Sequence, residues 1–285
     1  MTIADALARL TETLTPIYGS GETRSLVRIV AEDVFGTSNL QHSKVLSDTD
    51  EAYFSEIHMQ LLSGKPLQYV LGKADFYGYV FHVNEHVLIP RLDTEELVHL
   101  ILESLPKNEG LSGLDIGTGS GCIPIVLKKK RPNWDVQALD VSREALIVAQ
   151  KNAQDLSAEL TFHQLDILNK KEWPNLPVFD FIVSNPPYIP EKEKDLVPRF
   201  VKEFEPGLAL FVEDEDPLKF YRTIADFAQT HLSPGGQLFY ETNEFNADKV
   251  VEMLNEKGFT NVESIKDMSG KDRMVSASFS NQFIG

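Results

Sequence analysis

The segment Leu111-Ser112-Gly113-Leu114-Asp115-Ile116-Gly117-Thr118-Gly119-Ser120-Gly121 decides the fold. Leu111 to Ile116 reads as a short apolar strand, the alternate glycines as a sharp turn, and Ile123 to Lys130 as the helix that follows. Glycines let the backbone turn tightly and let a ligand come close to the main chain. In a doubly wound α/β sheet such a turn lies at the carboxyl ends of the strands, where ligands bind. The pattern is G-x-G-x-G, not the G-x-G-x-x-G of dinucleotide enzymes, so the loop alone leaves its ligand open.

Strands and helices alternate downstream of this unit. Asp135 to Val141 reads as a second strand and Ser142 to Gln154 as a helix. Leu160 to Gln164, Phe179 to Ser184 and Leu208 to Val212 read as the third, fourth and fifth strands. A helix over Pro217 to His231, a sixth strand over Gln237 to Glu241, a helix over Ala247 to Lys257 and a seventh strand over Met274 to Phe279 complete the pattern. Such alternation predicts an α/β, Rossmann-like, mainly parallel seven-stranded sheet with helices on both faces.

Upstream the texture changes. Residues 1–75 read as three amphipathic helices, with Ile3, Leu7, Leu10 and Leu14, then Leu26, Ile29, Val30 and Val34, then Phe54, Ile57, Leu61 and Leu62 at helical spacing. These predict a small helical bundle domain. Residues 76–90 read as a linking β-hairpin, with a strand over Phe76 to Val83, a turn near Asn84-Glu85, and Val87-Leu88-Ile89 returning to Pro90. The main domain is then 91–285. A chain of 285 residues accommodates one large and one small domain.

Charge narrows the partners. The net charge of −16 repels phosphate backbones, so nucleic acid is not expected as a direct partner. The one dense basic run, Lys128-Lys129-Lys130-Arg131, reads as a solvated helix end complementing the helix dipole. The single cysteine, Cys122, excludes an internal disulfide and reads as a filler beside the glycine loop. The N-terminus lacks signal-peptide character, and no apolar run reaches the roughly 18 residues of a membrane span. A cytoplasmic monomer without membrane attachment is expected. The seven histidines show no metal-ligand spacing, so no metal is expected. Arg91 and Glu95 read as supports for loops near the site, and Trp134 and Trp173 as packing residues.

Three acids stand at strand ends. Asp115 precedes the glycine loop. Asp140 ends the second strand, nineteen residues past Gly121, where its carboxylate can accept two hydrogen bonds from ribose hydroxyls. That placement suits NAD and S-adenosylmethionine alike. Asp166 closes the third strand, where its side chain can meet an adenine edge.

Asn185-Pro186-Pro187-Tyr188 ends the fourth strand, and it separates those alternatives. The prolines stiffen the turn and remove two N–H donors. What remains is a set of acceptors, the Asn185 side-chain oxygen and the Pro186 carbonyl, beside the flat face of Tyr188. An amide or exocyclic amino nitrogen is a poor nucleophile because its lone pair is delocalised. Two acceptors can hold its N–H groups and draw the nitrogen toward tetrahedral geometry, with the lone pair aimed at a sulfonium methyl. Bond formation makes the nitrogen cationic, so both hydrogen bonds strengthen in the transition state. The expected chemistry is methylation of a planar nitrogen, with Asn185, Pro186 and Tyr188 as catalytic residues and Pro187 completing the substrate-binding turn.

With their flanks, these residues resemble the bacterial release factor glutamine methyltransferases, the protein-(glutamine-N5) methyltransferase family. The likeness lies in Pro66-Leu67-Gln68-Tyr69 with Gly72, Leu88-Ile89-Pro90-Arg91 with Asp93-Thr94-Glu95, Leu114 to Gly121, Val183 to Tyr188, Phe204-Glu205-Pro206, and Asp267 with Arg273. It runs from about residue 66 onward; before that only helical character and length agree. The resemblance implies a class I S-adenosylmethionine-dependent methyltransferase fold. It implies release factors as protein substrates, methylated at the glutamine of a Gly-Gly-Gln tripeptide. It places Gly117, Thr118, Gly119, Ser120, Gly121, Asp140, Ile167 and Asn185 around the cofactor, and gives the helical domain and hairpin the task of docking the release factor. Two positions depart from the family pattern. Leu92 stands where Pro is usual, and Asn243 where Gly is common.

Alternatives remain at this point. A ribosomal protein is a second possible glutamine-bearing substrate. A DNA adenine N6-methyltransferase would need base flipping and a basic DNA-tracking surface. A NAD-dependent oxidoreductase leaves Asn185-Pro186-Pro187-Tyr188 unexplained, and a non-catalytic cofactor-binding scaffold leaves the intact acceptor turn without a use.

Overall fold

The structure, a computed structural model, describes residues 1–279, which divide into two compact units, Met1–Gly72 and Lys73 onward. In the first unit, α1 spans Ile3–Phe35 and is interrupted at Gly19 (φ 75°, ψ 163°), so it consists of the two helical segments expected there, joined at a kink. α2 is Asp48–Leu62 and α3 is Leu67–Leu71. Thr2 with Asp5, and Ser47 with Asp50, form capping boxes that start the first two. Leu7, Leu10, Leu14, Val30, Phe54, Ile57 and Leu61 fill the core of this unit. Tyr18 ties α1 to α2 through a 2.7 Å hydrogen bond to the Leu61 carbonyl.

The second unit opens with a hairpin, β1 Lys73–Phe76 and β2 Tyr79–His82, paired antiparallel. Its turn is Tyr77-Gly78, both at positive φ (51° and 80°), as a tight two-residue hairpin turn requires. The sequence expectation of one strand over 76–83 turning at Asn84-Glu85 is therefore corrected. Glycine at the second turn position accepts the left-handed backbone, and this local chemistry overrides the apolar run. Val87 to Ile89 belongs to no strand.

The remaining elements follow in order: α4 Leu92–Ser104, β3 Ser112–Ile116, α5 Cys122–Lys130, β4 Asp135–Asp140, α6 Arg143–Asp155, β5 Thr161–Gln164, β6 Phe179–Ser184, β7 Ile189–Pro190, α7 Arg199–Phe204, α8 Gly207–Leu210, β8 Phe211–Val212, α9 Lys219–His231, β9 Leu232–Glu241, α10 Ala247–Glu256, β10 Thr260–Lys266 and β11 Asp272–Ser278. Seven strands form one sheet in the order β10-β11-β9-β6-β3-β4-β5. β11 runs antiparallel to both neighbours and every other pairing except its own is parallel. The order reverses at β3, so β3 and its neighbours β4 and β6 bring three strand ends to one crevice.

Two strand assignments change. Leu208 to Val212 is a short helix followed by the two-residue β8, which pairs with β7 outside the main sheet. Pro206-Gly207 starts that helical turn, and a short apolar run does not distinguish strand from helix. The strand that completes the sheet is β10. It carries no clean alternation because it is an edge strand with register irregularities, and only Val262 and Ile265 are partly covered.

Both faces of the sheet are covered, which is why the central strands carry apolar side chains on both sides. Leu139, Ile182, Leu238 and Tyr240 pack one way against Tyr221, Phe227 and Leu254. Val136, Phe181 and Phe239 pack the other way with Ile101, Val126 and Trp134. The basic run is not a bare solvated end. Lys128 donates to the Trp134 carbonyl (2.7 Å), Lys129 to the Leu156 carbonyl (2.8 Å) and Arg131 to the Leu102 carbonyl (2.9 Å). Lys130 lies 5.3 Å from the Tyr77 and Tyr79 rings. Each cation finds a nearby carbonyl or ring, so these side chains fasten neighbouring loops. No helix among the described residues is long and apolar enough to cross a membrane.

Candidate functional site

The glycine loop leaves β3 and enters α5. Gly117, Gly119 and Gly121 all have positive φ (77°, 53° and 78°), and the Gly117 and Thr118 amides donate to the Leu139 carbonyl at the end of β4. A Cβ on Gly117 or Gly119 would meet nothing within 4 Å. A Cβ on Gly121 would press on Ala149 and Ile125 at 3.1 Å. The first two glycines thus border open space, while the third lets α5 sit close to α6.

Asp140 completes the loop. One carboxylate oxygen accepts from the Gly119 amide (2.9 Å) and the other from the Ser142 amide (2.9 Å). Burial raises its pKa, and these backbone donors oppose the rise. Asp115 lies beneath, fully buried, with neither oxygen in a hydrogen bond among the described residues. Burial raises its pKa to about 7; the Thr118 hydroxyl, close by and itself without a hydrogen bond of good geometry, lowers it, and Asp140 raises it further.

A residue outside the sequence expectation holds this region together. Asn152, buried on α6, donates to the carbonyls of His82 and Ser120 (both 2.9 Å) and accepts from the His82 amide (2.7 Å). It joins the hairpin to the glycine loop. In sequence it is one polar residue on an amphipathic helix, and nothing local marks its buried face.

A cavity of about 330 Å³ opens over the loop, within the range of small-molecule sites. It is lined by Gly117, Thr118, Gly119, Ser120 and Asp140, by Asp166 and Ile167, and by Asn185, Pro186 and Pro187. Two expected residues lie elsewhere. Gly121 packs behind the loop, and Tyr188 lines a second cavity of about 460 Å³. Asp166 accepts from the Leu168 amide (2.9 Å), and Trp173 fixes Ile167 by donating to its carbonyl (2.9 Å). Cys122 also lines the first cavity; burial pushes its thiol to about 12, so it stays a protonated filler.

Asn185 borders both cavities. Its side-chain nitrogen donates to the Thr94 hydroxyl (3.3 Å), and that hydroxyl donates to the buried carboxylate of Glu241 (2.6 Å). Tyr188, pushed to about 12 by burial and then by the Glu241 charge, stays a neutral phenol. Leu88, Arg91, Val201, Phe245 and Arg273 complete the wall of the second cavity.

The loops around it are braced by ion pairs that join stretches distant in sequence. Arg91 pairs with Glu205, whose other oxygen accepts from the Ile89 amide (3.1 Å). Arg273 faces Asp93 (3.4 Å) and Asp267 (3.6 Å). Glu95 accepts from the Tyr77 amide (2.7 Å) at the hairpin turn. Leu92 is exposed, and Asn243 lines the second cavity while accepting from the Phe245 amide (3.0 Å). No group of three or more His, Cys, Asp or Glu suited to a metal occurs among the described residues.

Comparison with known proteins agrees with this architecture. Residues 93–209 match the family model of the methyltransferase small domain. The crystal structure of a methyltransferase from Pyrococcus furiosus is similar in fold, with a TM-score of 0.52 and 18% identity over 79% of this chain and 99% of that one. The release factor glutamine methyltransferase of Flavobacterium psychrophilum is 40% identical over 98% of this chain and 100% of its own length. That of Bacteroides thetaiotaomicron is 40% identical over 95% of this chain and 98% of its own. Identity at this level along nearly the whole of both chains extends through the helical unit as well as the sheet, and the chain belongs to the release factor glutamine methyltransferase family.

Proposed function

We propose that this protein transfers the methyl group of S-adenosylmethionine to the side-chain amide nitrogen (N5) of the glutamine in the Gly-Gly-Gln motif of peptide chain release factors. The observation that carries the reading is the position of Asn185 in the wall shared by two cavities, one floored by the glycine loop and one open beside Tyr188.

The first cavity suits S-adenosylmethionine. Gly117 and Gly119 leave room for a ligand against the main chain, and Asp140 sits at the end of β4, where ribose hydroxyls are met. Asp166 and Ile167 lie where an adenine ring would rest. The bound cofactor supplies a methyl group activated by sulfonium and leaves as S-adenosylhomocysteine.

The chain's own residues handle the amide. The Asn185 side-chain oxygen and the Pro186 carbonyl accept its two N–H groups, and Tyr188 packs against its plane. The prolines hold these acceptors without reorganisation, so their hydrogen bonds strengthen as the nitrogen gains charge. The nitrogen's proton leaves to water afterwards, and no strong base is needed. The helical unit and the hairpin add the surface that docks the folded release factor.

The test is incubation with labelled S-adenosylmethionine and purified release factors, followed by mass spectrometry of the Gly-Gly-Gln peptide. One methyl group on the glutamine is expected. Label on a ribosomal protein or on DNA, with none on the release factor, would refute the substrate.

A further inference from the structure

We propose that Glu241 is a positioning residue that acts through Thr94 to fix which way the Asn185 side-chain amide faces, an inference that rests on the functional reading above. Glu241 ends β9 and is buried, and when ionised its carboxylate can only accept. The Thr94 hydroxyl, 2.6 Å away, has a single hydrogen and must give it to Glu241. Toward Asn185 it therefore has only lone pairs to offer, so Asn185 must present its NH2 to Thr94, at 3.3 Å. The amide oxygen is left facing away from Thr94, free to accept from substrate. The Asn185 side chain also hydrogen-bonds Glu241 itself, which favours the same face; without Glu241 and Thr94 an Asn amide can reverse, and a donor would then stand where the reaction needs an acceptor.

The surroundings support a functional use of this carboxylate. Glu241 faces Thr94 and Asp93 from α4, Arg273 from β11, Asn185 and Tyr188 from the turn after β6, Tyr221 from α9 and Cys122 from α5. Burial raises its pKa to about 7; the Thr94 hydrogen bond opposes the rise, Asp93 adds to it, and Arg273 and Asn185 lower it. Below that pH the carboxyl carries a proton and can donate to Thr94. Thr94 can then donate to the Asn185 oxygen, which reverses the polarity of the whole chain.

The experiment compares kcat, KM for a purified release factor, and the pH profile of kcat in the wild-type enzyme, Thr94→Val, Glu241→Gln and Thr94→Ser. Calorimetry gives S-adenosylmethionine affinity for each. The wild type is expected to lose activity on the acid side with a midpoint near 7. Thr94→Val, which keeps the shape and removes the hydroxyl, should lower kcat by about tenfold to a hundredfold. KM and cofactor affinity should change less than about threefold, as expected for a residue that acts on the transition state. Glu241→Gln should behave likewise and lose the acid limb, because its amide can donate to Thr94. Thr94→Ser should stay within about threefold of wild type, since it restores the hydroxyl. If one of the two disabling variants fails to fold, the kcat and KM of the other decide. Undiminished kcat in Thr94→Val or Glu241→Gln, or a loss confined to KM, overturns the inference while leaving the functional reading intact. Absence of methyl transfer by the wild-type enzyme overturns that reading and this inference together.

Discussion

Arg91 and Glu205 lie 114 residues apart in sequence, yet they form an ion pair whose carboxylate end is 1% exposed. Glu205 also holds the Ile89 amide, so one buried carboxylate joins the segment entering α4 to the segment leaving α7. Removing Arg91 would strand that charge. Arg91→Ala is expected to cost about 2–3 kcal/mol, less than a fully buried pair because the guanidinium is partly solvated. Chemical denaturation measures it, and a change below about 0.5 kcal/mol, the level of a neutral surface substitution, would contradict the role assigned to the pair.

Asp115 gives a pH dependence of defined sign. Its folded pKa of about 7 lies above the ordinary 3.8. Between these values the folded protein holds a proton that the unfolded chain has released, so this group's contribution to stability is lost as pH rises through that window. Asp115→Asn removes the titration. The loss of stability between pH 5 and pH 8 attributable to this site, on the order of 2 kcal/mol, should disappear in the variant. Thermal unfolding of both proteins at the two pH values reads the difference; a variant that follows the wild-type dependence would contradict the account.

Gly113 supports the site from within the sheet. A Cβ there would sit 2.0 Å from the Phe181 ring, which is itself packed on Trp134 with centroids 5.1 Å apart. Gly113→Ala should therefore destabilise the fold by about 1–3 kcal/mol through overpacking, measured as a lowered denaturation midpoint. Tolerance of alanine without loss would mean that the ring moves freely.

Asp140→Asn should weaken S-adenosylmethionine binding about tenfold to a hundredfold, the loss of one or two hydrogen bonds to a charged acceptor. Calorimetric titration measures it. An unchanged Kd would remove Asp140 from the cofactor site.

The parts of this molecule legible in sequence are those governed by local rules. The strand, glycine turn and helix from Ser112 to Lys130 are set by apolar runs and by positive φ at three glycines. The Asn185 turn is set by two prolines. Less legible were features created by tertiary contact. β10 is an exposed edge strand whose pairing, not its pattern, defines it. The hairpin turn at Tyr77-Gly78 lies within an apolar run that reads as a single strand to Val83, so the sequence places the turn at Asn84-Glu85 instead. Asn152, Thr94 and Glu241 act through partners 32 to 147 residues distant, and no local spacing announces them.

The most direct test of the central claim is the single-turnover rate of methyl transfer by Asn185→Ala, measured with S-adenosylmethionine and release factor both saturating. The account predicts a fall of about 10²–10³-fold, the cost of losing one aligned group that stabilises charge in the transition state. A variant that transfers the methyl group at the wild-type rate would contradict it.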